Sequence, residues 1–127
     1  TKINFDTEVF DTASAYDNAT NYRFTVPSGQ AGKYYIYSSV MSVTLGGVNT
    51  YRFALGQIYL NGVQYREQYI SYEDNNGSGI ANITNATIDL SVGDYIEIYF
   101  YGAASVSTPR LRADNKGTYF GAYKIIE

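Results

Sequence analysis

The chain has 127 residues, a length suited to one domain whose folding buries roughly two-thirds of the unfolded surface. At 45% hydrophobic and 17% charged it is too apolar for a disordered segment, and its net charge of −3, with 9 scattered basic residues, excludes a cationic stripe for nucleic acid. Cysteine and histidine are absent, which excludes disulfides, thiolate or imidazole metal sites, and Ser-His-Asp or Cys-His catalysis.

In chain order, segments rich in Tyr, Ile, Val, Phe and Thr alternate with clusters of Gly, Asn, Asp and Ser, and no stretch sustains helical spacing. Strands are predicted over Lys2 to Phe10, Tyr22 to Val26, Lys33 to Leu45, Tyr51 to Leu60, Val63 to Tyr72, Gly79 to Leu90, Tyr95 to Tyr101 and Thr118 to Ile126. About eight strands at this spacing predict an all-β fold, a two-sheet antiparallel jelly-roll sandwich, with a sandwich of another kind or a barrel as neighbouring solutions. Between the fourth and fifth strands lies Asn61-Gly62, the strongest short hairpin signal, because both central residues of a type I′ turn need positive φ. Asn76-Gly77 and Gly93-Asp94 mark further turns.

Three strands are apolar on both faces. Lys33 to Leu45 sets Tyr34, Ile36 and Val40 against Tyr35, Tyr37, Met41, Val43 and Leu45. Tyr95 to Tyr101 sets Ile96, Ile98 and Phe100 against Tyr95, Tyr99 and Tyr101, with Glu97 between them. The last strand sets Phe120, Ala122 and Ile126 against Tyr119, Tyr123 and Ile125. A sandwich buries one face of each sheet, so the second face needs another cover, most simply a further copy of the chain. The alternative is half-exposed tyrosines with their hydroxyls in water. The predicted core is Phe24, Ile36, Val40, Leu60, Ile96, Ile98, Phe100 and Phe120.

No internal repeat, linker or low-complexity tract divides the chain, so residues 1–127 read as a single domain. Because it starts at Thr1 and holds one methionine, Met41, it reads as a mature or excised domain cut from a longer chain. No apolar run approaches the roughly 20 residues that span a bilayer, and no signal-peptide pattern is present, so membrane insertion is not expected.

Three stretches resemble the globular head of the complement C-one-q family and the related tumour necrosis factor cytokines. They are YDNATNYRFTVPSGQAGKYYIYSSV (Tyr16 to Val40), LSVGDYIEI (Leu90 to Ile98) and TYFGAYKII (Thr118 to Ile126). Two positions depart from the family pattern: Asn21 stands where glycine is usual before x-Phe-Thr, and Ile36 replaces an aromatic residue. The resemblance implies a jelly roll of about ten strands, assembled as a tight homotrimer and carried as a C-terminal head on a stalk. On this reading Tyr35, Tyr37, Tyr99, Tyr119 and Tyr123 face neighbouring copies.

Other candidate chemistry is sparse. Glu73 and Asp74, with Asn75 and Asn76, offer oxygen ligands for a cation such as calcium, but the spacing lacks a calcium-loop pattern and a solvated loop is the plainer reading. Asp94 reads as a turn residue, and Arg110 and Arg112 as exposed side chains with a possible anionic partner. A carboxylate pair for glycoside cleavage is arithmetically available among 12 acidic residues, with nothing singling one out. Sequons occur at Asn18, Asn76, Asn82 and Asn85; the last two sit on opposite faces of one predicted strand, awkward for two glycans.

Together these features predict a non-enzymatic head for recognition, adhesion or assembly, extracellular or on a virion surface, with no cofactor. Its partners are other copies of itself and a protein or glycan receptor. The alternative is a monomeric carbohydrate-binding jelly-roll module, which solution mass separates from the trimer.

Overall fold

A computed structural model describes residues 1–43, 51–71, 80–104, 110–114 and 116–126. Period-2 patterning produces nine strands and no helix among them: β1 (Tyr16–Asp17), β2 (Arg23–Thr25), β3 (Gly32–Val43), β4 (Tyr51–Leu60), β5 (Val63–Ser71), β6 (Ile80–Leu90), β7 (Tyr95–Ala104), β8 (Arg110–Leu111) and β9 (Tyr119–Ile126). They form two antiparallel sheets, a jelly-roll-like sandwich. The five-stranded sheet runs β1-β2-β7-β4-β5. In the other, β6 pairs the full length of β3, and β8 and β9 share its opposite edge end to end.

The hairpin signal is realised as read. Asn61 and Gly62 take φ of 52° and 78° between β4 and β5, the conformation of a type I′ turn. Asn61 does a second job, because its side-chain amide donates to Asp94 and its Oδ1 accepts the Tyr95 amide. The Asn61-Gly62 and Gly93-Asp94 turns are therefore clasped together at one end of the five-stranded sheet. The Asn61 amide, together with the Ser91 backbone N–H, holds the Asp94 carboxyl below the usual carboxylate range.

The core lies between the sheets. Phe24, Ile36, Val40, Ile96, Ile98 and Phe100 are buried as predicted, with Leu60 and Phe120 half-buried against them. Ile3, Val26, Tyr34, Ala54, Ile58, Ala86, Ile88 and Leu90 complete the cluster. Toward the β8 end the inward positions turn polar: Ser38, Ser42, Asn82 and Thr84 are all buried. There Thr84 donates to the Gly56 carbonyl at 3.0 Å, and a Cβ on Gly56 would lie 2.9 Å from the Thr84 hydroxyl oxygen, so glycine lets the two sheets approach.

One expectation is corrected. The predicted strand from Lys2 to Phe10 is not formed; only its first residues join β7, with Thr1 and Phe100 exchanging backbone bonds and the Ile3 amide donating to Ile98 at 2.8 Å. β4 holds one edge of β7, and β2 occupies the other at Tyr95 and Ile96, so the N-terminal segment meets β2 and must leave after Ile3. Beyond that point it arches over a cavity of about 880 Å³ beside β9, where Phe5 and Tyr16 pack on Phe120. A separate finding concerns the turn at Asn21. Its neighbour Tyr22 carries the positive φ, 47°, while Asn21 donates its backbone and side-chain amides to Asp17.

Two aromatic outer faces as candidate binding surfaces

Each sheet turns one face to the core and one outward, and both outward faces carry tyrosines. On the four-stranded sheet, β3 presents Tyr35 and Tyr37, and β9 presents Tyr119 and Tyr123. Tyr35 stands directly opposite Tyr123 across the strands, their centroids 5.4 Å apart. Tyr37 contacts Tyr35, Tyr119 and Tyr123 at 6.1 to 6.4 Å, within the range of favourable ring pairs. It can lie flat because its cross-strand partner is Gly121, where a Cβ would fall 2.3 Å from the Tyr37 ring and hydroxyl. Ile83 on β6 and Tyr123 on β9 are 58% and 55% exposed on this face, and Ile125 joins them. Charged residues stay at its ends, Lys33 and Asp89 in cross-strand register at one and Arg110 and Arg112 beside the end of β3 at the other.

Tyr99 belongs elsewhere. Its strand, β7, lies in the five-stranded sheet, so Tyr99 stands on the opposite side of the sandwich from the other four tyrosines of the predicted set. It stacks on Tyr59 of β4 with centroids 4.1 Å apart. Burial, reinforced by the neighbouring Glu97 carboxylate, pushes the Tyr99 hydroxyl up from its ordinary value. Glu97 is only 8% exposed although it points away from the core. Lys2 covers it with an ion pair of 2.5 Å.

The rest of this face mixes rings with polar side chains. Phe53 of β4 lies between Tyr69 of β5 and Tyr101 of β7, at centroid distances of 5.8 and 5.6 Å. Two rows along β4, Gln57 donates to Gln64 at 2.8 Å, and Gln64 donates to Glu67 at 2.9 Å. At the far edge the Arg23 guanidinium sits 4.3 Å from the Tyr95 ring centroid, a cation–π contact. Patterning read one face of β7 as aromatic but did not register that Gln57, Gln64 and Glu67 converge, since they meet only through the β4–β5 pairing.

The remaining candidates fall as follows. Glu73, Asp74, Asn75 and Asn76 lie outside the described residues, and no cluster of three or more potential metal ligands occurs among those described. Arg112 forms an ion pair with Asp114. Asn82 is fully buried, its side-chain amide without a hydrogen-bond partner, so its sequon is closed in the folded chain. Asn85 is exposed on the tyrosine face, opposite Tyr37.

No family model matches the chain. It is 32% identical over 132 aligned residues to the uncharacterized protein YqcC of Bacillus subtilis (strain 168). The alignment takes in all of this chain but 34% of that protein, so the chain spans about a third of the length of the curated relative it matches.

Proposed function

We propose that the chain is a non-enzymatic head that assembles as a homotrimer through the outer face of its four-stranded sheet and serves recognition, adhesion or structural assembly at a cell or virion surface. The observation that carries this reading is the closed cluster of Tyr35, Tyr37, Tyr119 and Tyr123 with Ile83 and Ile125 around it and charge confined to the ends. A contiguous apolar surface of this kind on an isolated chain favours contact with another protein surface. Copies of the same chain are the simplest cover, because the resemblance to complement and cytokine heads implies a trimer. Tyr99 takes no part in this interface.

Sedimentation is the test. A mass near three times 14.1 kDa is expected for the chain, with an obligate interface on the order of 2,000 Å². A monomer at all concentrations sinks the reading and leaves the carbohydrate-binding module in its place.

A further inference from the structure

Resting on the reading of a recognition head, we infer that the outer face of the five-stranded sheet binds a neutral oligosaccharide, laid across the Phe53–Tyr69–Tyr101 rings and the Gln57–Gln64–Glu67 network. A sugar ring presents a flat face of C–H groups with slight positive charge, which complements the negative face of an aromatic ring. Tyr69 and Tyr101 offer such faces, being 53% and 56% exposed on either side of Phe53. Sugar hydroxyls both donate and accept, so they need partners that do both, and two amides beside a carboxylate supply this. Gln57, Gln64 and Glu67 are already tied together, which lowers the ordering cost when a ligand binds. From the row of Phe53 to that of Gln57 is about 13 Å at the rise of a β-strand, the scale of a short oligosaccharide chain.

Charge selects against other ligands. The Glu67 side chain lies among amides, while Lys2 is paired with Glu97 and Arg23 lies over the Tyr95 ring. A phosphate, sulfate or sialic acid would therefore meet the negative charge of Glu67 beside the rings. A peptide strand added along β5 would meet the bulge at the Ile58/Tyr59 register shift and the charges of Arg66 and Glu67, features that discourage pairing at an edge.

The test is calorimetric titration of the chain with short oligosaccharides of glucose, galactose and N-acetylglucosamine, and with sulfated and sialylated forms. A neutral member should bind, Tyr101→Ala and Glu67→Ala should each weaken it about tenfold, and Val92→Ala, at an exposed turn position away from both faces, should leave Kd unchanged. Absence of binding by every neutral probe overturns the inference, as does binding that survives both substitutions or tightens with sulfation. Sedimentation of the same samples keeps the two readings apart: a trimer that binds no sugar sinks this inference alone, and a monomer that binds sinks the trimer alone.

Discussion

On the four-stranded sheet four tyrosines close on one another, ring against ring, around Tyr37 and the bare backbone of Gly121. On the five-stranded sheet the rings are separated into pairs and triplets by Glu97, Gln57, Gln64 and Glu67, each with a hydrogen-bonded or ionic partner. The same residue type thus builds two different surfaces. A cluster of rings without interleaved charge gains most by excluding water over a wide area, as a protein interface does. Rings interleaved with satisfied polar groups stay hydrated at modest cost and can exchange that water for a polar ligand.

The largest effect should come from placing a charge on each face in turn. Tyr119→Asp should release monomers, because a carboxylate enclosed without a partner costs several kcal/mol; Tyr101→Asp should leave the sedimenting mass unchanged. Equal dissociation by both would erase the distinction between the faces. Next in size is Lys2→Met, which leaves Glu97 nearly buried without its cation and should cost about 2 kcal/mol in urea denaturation. Unchanged stability would mean that Glu97 is better hydrated than its burial implies. Gly121→Ala should follow at about 1 to 2 kcal/mol by pushing the Tyr37 ring off the strand, and should weaken assembly while sparing sugar binding.

The smallest effect lies on neither face and serves as a control. Three backbone amides, of Thr20, Ala19 and Asn21, hold the Asp17 carboxyl down at about 2 from an ordinary 3.8. A depressed carboxyl stabilises the fold above its unfolded value, and that contribution is lost as pH falls from about 4 toward 2. Protection of the Ala19, Thr20 and Asn21 amides, measured relative to their intrinsic exchange rates, should fall in that window, and Asp17→Asn should abolish this loss of protection with pH. Persistent protection at pH 2 would show that the turn does not depend on the charge.

Local pattern alone determined the long strands β3 to β7 and β9 and the side of each that a residue occupies, but not the two-residue β1 and β8. Tyr51–Leu60 begins and ends where alternation places it, and Ile96, Ile98 and Phe100 are buried as their parity requires. The Asn61-Gly62 turn was equally legible, since its backbone conformation is a property of two adjacent residues. Alternation has no means of saying which strands become neighbours, because pairing joins segments far apart in sequence. For that reason Tyr99 looked equivalent to Tyr35 until β7 and β3 were placed in different sheets. For the same reason Lys2 to Phe10 read as a strand although β2 already held the rest of its edge. The cover of Glu97 by Lys2, 95 residues away in the chain, likewise belongs to the tertiary structure, which alone brings such distant charged groups within hydrogen-bonding reach.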